Sequence, residues 1–188
     1  MLQFIKEYDK YTEITGFKNA KFSDAEAFLK VNRKRAHVNL ELQFFDADVI
    51  AGREHLYFAI LNALQAFQNK TNISKSLAVE TMLYSSAQRQ IKRAIERCGI
   101  KPQTTSMAVT VIGNNPSDIR SLVGEISLCV GSKPDDSVLE LNADKLEKVK
   151  KAFQVKNEEI GSITMDKNQN DAVTSLIIER VALLATQL

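Results

Sequence analysis

The segment from Gly52 to Phe67 constrains the fold more than any other, because Leu56, Ala59, Ile60, Ala63, Leu64 and Phe67 recur at the spacing of one α-helical face. Tyr57, Phe58 and Leu61 fall outside that face, so the helix carries more apolar surface than a single core contact covers. Two readings are open: a second layer of the same domain covers the surplus, or a protein partner does. Either way the helix demands a layered structure, and 188 residues with 44% hydrophobic content are enough for one domain, 1–188, with a substantial core.

Around this helix, segments of period two alternate with segments of helical period. The stretch YTEITGF within the first twenty residues predicts one or two strands, and alternating Leu40, Leu42 and Phe44 predict a strand ending at Asp46 or Asp48. The β-branched run Ser106–Gly113 predicts a central strand, and SVLELN after the turn GSKPDD a further one. Helices are expected over Ser23–Arg35 with Ser23 as cap, over Ser76–Tyr84, over Pro116–Val130 and over Asp171–Thr186. Asn114 or Asn115 would cap the third of these. Asp144 and Glu147 have capping-box spacing ahead of a short helix ending at Phe153. The pattern predicts an α+β (α/β layered) fold, a single domain with a small mixed β-sheet packed by several helices and helix content exceeding strand. The polar segment 156–170 reads as a mobile segment.

The stretch YSSAQRQIKRAIERCGI (84–100) poses a separate problem. Ile91, Ala94, Ile95 and Cys98 form an apolar seam, and Ser85 with Gln88 fits a capping box that starts a helix near Ser86. Gly99 and Pro102 end it. This seam places Lys92, Arg93, Glu96 and Arg97 on the outer side. Arg89 in the first turn runs against the helix dipole and needs another partner. Glu80, set among apolar residues, is one candidate, which would make the pair a brace for a helix corner; an RNA phosphate is the other.

The charge balance, 25 basic against 23 acidic residues, does not by itself announce a nucleic-acid binder. Cys98 and Cys129 both read as core residues of a reducing compartment. The only histidines, His37 and His55, have no metal-site spacing, and no phosphate-binding glycine loop or nucleophile elbow is present. No cofactor or metal is expected. No apolar run of about 18 residues occurs, so the expectation is a soluble cytoplasmic protein with no membrane partner. His55 beside Glu54 is either an acid–base group or a hydrogen-bonded loop anchor.

Taken in order, FDADVIAGREHLYFAILNA, the Glu80 of SLAVETMLYSSAQRQIKRAI, CGIK, DDSVLELN and IIERVALLA make the chain from about Leu40 to Ala185 resemble the small regulatory subunits of the KEOPS complex, the PRPK-binding protein family, and its archaeal members most of all. One departure is Ala87, where the family pattern S-G-Q-R-Q-I has glycine. The resemblance implies a non-catalytic subunit that binds the small PRPK/Bud-type kinase/ATPase subunit at one end of a linear assembly. It also implies contact with the 3′ CCA end of tRNA in support of threonylcarbamoyladenosine modification, and a monomer outside the complex. On this reading Tyr57, Leu61, Lys92, Arg93, Glu96 and Arg97 are expected at the partner surface, and Arg53, His55, Gln88 and Arg89 at the RNA. Two competing expectations are an enzyme using Glu54, His55 and Glu80 as acid–base groups, and a homodimer that covers Tyr57, Phe58 and Leu61 by self-association.

Overall fold

A computed structural model of the chain describes residues 2–20, 24–36, 39–163 and 168–186; His37 and Ser23 lie outside them. Four strands, β1 (Leu2–Ile5), β2 (Lys10–Phe17), β3 (Leu40–Asp46) and β4 (Met107–Gly113), form one sheet in the order β1-β2-β4-β3. Every pairing is antiparallel, so the sheet is not the mixed one that alternation with helices suggests. The helices are α1 (Ala25–Arg35), α2 (Arg53–Gln68), α3 (Leu77–Ser86), α4 (Ile91–Cys98), α5 (Pro116–Val130), α6 (Ala143–Phe153), α7 (Asn157–Ile163) and α8 (Gln169–Leu183). Helix exceeds strand, and the class is α+β. Among the described residues no helix is long and apolar enough to cross a membrane.

Strand β4 is buried along its whole length because helices cover both faces of the sheet. Met107, Val109 and Val111 point to one side, where Leu42 and Phe44 of β3 meet Ile119, Leu122 and Ile126 of α5 and Phe28 of α1. Ala108 and Ile112 point to the other side, against the larger layer built on α2, α3 and α8. The surplus apolar surface of α2 is thus covered in part by its own domain: α2 packs on α3 and on α8. The outer edge of β3 is closed by side chains. Glu41 accepts from the Ser76 hydroxyl (3.0 Å) and the Ala78 amide (2.8 Å), and Gln43 donates to the Ala78 carbonyl (3.2 Å), which ties α3 to the strand.

Several boundaries differ from the sequence expectation for identifiable reasons. Asp24 caps α1, Asn142 caps α6 and Asn168 caps α8, each through its side-chain oxygen, so the Asp144–Glu147 box does not form. Asn115 caps α5 as expected. The SVLELN strand is absent; Asp136–Leu139 is a 3-10 turn instead. Its Asp135 accepts from the Ser137 amide and donates its own amide to the Gly16 carbonyl at 2.7 Å, which folds the segment onto β2 without a ladder. Part of the segment 156–170 is the helix α7, held to α8 by Arg180 and Glu159 at 2.7 Å; residues 164–167 lie outside the described structure. Cys98 is buried, whereas Cys129 is exposed on α5 rather than in the core.

The 136–139 turn rests directly on Gly16. A β-carbon there would stand 2.0 Å from Val138 Cγ2 and 3.0 Å from the Asp135 carbonyl oxygen. Gly16→Ala should therefore displace the turn and lower stability by about 1–3 kcal/mol, read as a fall in the urea midpoint with an unchanged slope.

Candidate functional site

The segment 84–91 does not start a helix at Ser86; it ends one there. Ala87 takes the left-handed conformation (φ 48°, ψ 45°), its amide bonds to Tyr84 O at 2.9 Å, and Gln88 N bonds to Leu83 O at 3.0 Å. This is the Schellman arrangement that stops an α-helix, usually with glycine at the left-handed position. The hydroxyls of Ser85 and Ser86 are turned back onto Met82 O and Leu83 O, so Ser85 is not a cap for the following helix. What remains exposed by the stop is the pair of carbonyls of Ser85 and Ser86. Ser85 O meets His55 Nε2 at 2.7 Å, and Ser86 O accepts from Arg97 Nη1 at 2.7 Å. Cys98 Sγ also faces Ser85 O.

His55 is fully buried and has both ring nitrogens engaged. Nδ1 accepts from the Ala51 amide at 3.1 Å, which leaves the proton on Nε2 to be donated to Ser85 O. Burial pushes its pKa down to about 4, against a smaller upward pull from the Ser85 carbonyl and a further lowering by Lys145. His55 is thus a loop anchor, withdrawn from any RNA surface. Glu80 is buried as well. Its carboxylate accepts from the amides of Ile73 (3.1 Å) and Ser74 (2.7 Å), which fastens the loop before α3. Arg89 is exposed, while the Glu80 carboxylate is buried and held by these two amides. Glu54 is exposed and lines a different cavity, and the three acid–base candidates do not share one site.

Helix α4 is rotated relative to its expected seam. Ala94 and Cys98 are buried, but Ile91 and Ile95 are 45% and 46% exposed. Arg97 is half-buried instead of outermost, with its guanidinium 5.3 Å from the Phe153 ring centre. Burial lowers the Arg97 pKa from its ordinary value. Lys92, Arg93 and Glu96 are exposed as expected.

Two clefts flank this scaffold. One, of about 700 Å³, lies between α4, α6 and the 3-10 turn Ala47–Val49, and collects Gln88, Arg93, Glu96 and Arg97. Lys101, Lys148 and Lys151 join them from outside the expected set, facing Asp46 and Asp48. The repeated lysines of KVKKAF hint at a basic face, but only the tertiary fold sets it opposite α4. The other cleft, of about 940 Å³, contains Arg53, which pairs with Asp136 and donates to Ile14 O at 2.6 Å, together with Glu54, Glu140 and Asp171. Arg53 therefore lines a different cleft from Gln88. Between the clefts, Lys145 is buried and donates to Val138 O at 2.6 Å, with its pKa lowered to about 8 by burial. No group of His, Cys, Asp and Glu among the described residues could hold a metal.

On α2, Tyr57 and Leu61 pack partly against the core while Phe58 stands exposed beside Tyr57. α8 lies alongside, joined by Thr174 Oγ1 to Ala51 O at 2.9 Å, and exposes Leu183 near its end. α3 separates this surface from α4, so the expected partner residues fall on two surfaces.

The arrangement is that of an α+β domain with charged clefts around a stopped helix. Residues 15–185 match the family described as kinase binding protein CGI-121, and the chain belongs to that family. It is 31% identical over 127 residues, 68% of this chain and 79% of the relative, to the protein called regulatory protein Cgi121 of Methanocaldococcus jannaschii.

Two outcomes test the helix stop. His55 has a folded pKa near 4 against an ordinary value of 6.5, so the stability it contributes is complete above pH 6.5 and is lost as pH falls toward 4. Urea unfolding should show a loss of up to about 3 kcal/mol over that window, absent in His55→Leu, which starts less stable because Ser85 O and the Ala51 amide lose their partner. Ala87→Gly should raise stability by about 1 kcal/mol, since the left-handed conformation penalises a β-carbon.

Proposed function

We propose that this chain is the kinase-binding regulatory subunit of a KEOPS-type assembly, that it docks the PRPK/Bud-type kinase/ATPase subunit through α2 and α8, and that it holds the 3′ CCA end of tRNA at the α3–α4 corner. Membership of a family described as kinase binding carries the first part. For the docking surface, the support is Tyr57, Phe58 and Leu61 on α2 and Leu183 on α8, apolar groups left partly uncovered on two helices that pack together. Such a surface suits a protein partner whose apolar side chains complete the layer.

For RNA, the support is the corner itself. Gln88, Arg89, Lys92 and Arg93 stand around the first turn of α4, whose N-cap residue Gln90 makes no side-chain cap, and no acidic residue occupies that turn. Amides of the first turn of α4 and four polar or cationic side chains are thus gathered in sequence at this corner. Exposed Ile91 and Ile95 add an apolar surface on which unpaired bases can pack. This suits a short single-stranded terminus better than a duplex, whose recognition needs a wide basic surface. tRNA modification and threonylcarbamoyladenosine formation then belong to the assembly that this subunit supports.

The two surfaces make separable variants. Phe58→Glu should abolish capture of the kinase subunit and leave tRNA affinity unchanged. Arg89→Ala with Arg93→Ala should leave kinase capture and the melting temperature unchanged, weaken tRNA binding, and reduce the slope of log K against log salt by about 0.7 for each phosphate that is no longer neutralised. tRNA lacking CCA should bind wild type as poorly as intact tRNA binds the double variant. Equal affinity for intact and truncated tRNA would overturn the assignment of the strand end.

A further inference from the structure

We propose that the cleft between α4, α6 and the Ala47–Val49 turn is a phosphodiester-binding site in which Asp48 competes with the phosphate for Lys148. The inference rests on the RNA reading above and extends it past the corner, from the strand terminus to the backbone that follows. The cleft is lined by five cationic side chains and three carboxylates, an imbalance that the whole chain does not have. It is also large enough, at about 700 Å³, for a nucleotide, and Val49 and Ala152 give it apolar wall.

The cations differ in how they are held. Arg97 is fixed by the Ser86 carbonyl and by Phe153, which uses one nitrogen of the guanidinium and leaves other donors of its fork available. Among the described residues neither Arg97, Arg93, Lys101 nor Lys151 forms an ion pair. Arg97 is moreover half-buried beside another cation, Arg180, so an incoming anion would relieve a charge that its own fold leaves uncompensated. A planar fork held in place and flanked by long-stemmed lysines matches phosphate, which accepts from several directions at once.

Lys148 is the exception. Its Nζ lies 2.7 Å from Asp48 Oδ2, an ion pair that joins α6 to the turn and raises the lysine pKa. The two side chains are 55% and 42% exposed, so the pair is screened by water and exchangeable. Asp46 cannot play the same part, because its two oxygens accept from the Asp48 amide and the Thr104 hydroxyl, both at 3.1 Å. Glu96, also in the cleft, forms no ion pair among the described residues and acts only as a general repulsion. Asp48 is therefore the one carboxylate of this cleft, among the described residues, that holds a lysine which an anion can take. A ligand with a single weak charge leaves the pair closed; a phosphodiester backbone reaching Arg97 and Lys151 at the same time opens it.

The experiment is a fluorescence titration of a single-stranded RNA oligonucleotide ending in CCA against wild type, Asp48→Asn, Lys148→Met, the double variant and Arg97→Lys. Asp48→Asn keeps the backbone amide that donates to the Asp46 cap and should melt as wild type does. It should bind the oligonucleotide about two- to fivefold more tightly at low salt, with a salt slope steeper by about 0.7. Lys148→Met should weaken binding, and adding Asp48→Asn to it should restore less than the same change gains in wild type. Unchanged or weaker binding by Asp48→Asn overturns the competition. Unchanged binding by both Lys148→Met and Arg97→Lys, with RNA still bound, overturns the cleft and leaves the corner reading standing. If no variant binds RNA, inorganic pyrophosphate is titrated by calorimetry: binding with the same order of variants retains the anion site without the RNA reading, and its absence removes both.

Discussion

The carbonyl groups of Ser85 and Ser86 at the end of α3 set the positions of three helices. A helix that stops inside a protein leaves carbonyls that water cannot reach, and each must find a donor. Here the donors come from α2 (His55) and α4 (Arg97), with Cys98 of α4 beside them. The stop therefore fixes where α2 begins and how α4 turns about its axis. His55 extends the constraint one step further, because its other nitrogen accepts from Ala51 and its ring packs edge-on against Phe153 of α6. Ala51 in turn accepts from Thr174 of α8. One helix end thus connects most of the layer that covers this face of the sheet, and a neutral histidine is required at its centre.

That same constraint explains the rotation of α4. Were Ile91 and Ile95 to face inward, Arg97 would swing away from Ser86 and a buried carbonyl would lose its donor, at a cost of about 1–3 kcal/mol, comparable to that of leaving two isoleucines half exposed. The helix is short, one edge of it is free, and the turn it takes keeps the hydrogen bond. The consequence for the surface is that an apolar pair lies on one flank of α4 and a basic cleft on the other.

Where hydrophobic period and local caps agree, the elements are legible in the sequence: β2, β3, β4, α2, α5 and α8 form where their patterns place them. The corner is not legible, since Ser, Ser and Gln at 85, 86 and 88 fit a helix start as well as a helix end, and alanine gives no left-handed signal. The glycine of the family pattern at position 87 is the available clue. Asp136–Leu139 has the apolar content of a strand because Val138 and Leu139 are buried, but a strand needs a neighbour, and this segment rests on Gly16 through Asp135. For the cleft, the sequence singles out Gln88 as an expected RNA contact and Arg93 as an expected partner contact, whereas Lys101, Lys148 and Lys151 come from elements far apart in sequence. No pattern along the chain encodes their meeting.

The near-neutral composition also conceals the basic cleft, and the reason lies in how the two signs of charge are used. Many carboxylates bind the chain's own amides: Asp24 at α1, Asp46 at the following turn, Glu41 at Ala78, Glu80 at Ile73 and Ser74, Asp136 at Gly16, Glu159 at Lys156. An ammonium or guanidinium has no such use at an amide, because it can only donate. Some cations serve carbonyls, as Arg53, Arg97 and Lys145 do, yet Arg93, Lys101 and Lys151 carry no bond of this kind among the described residues. Acidic residues are thereby drawn to loops and helix starts across the molecule, and basic residues are left to gather where α4 and α6 face each other. A balanced chain can in this way hold a local positive field, and the field follows from the backbone's demand for acceptors at its turns.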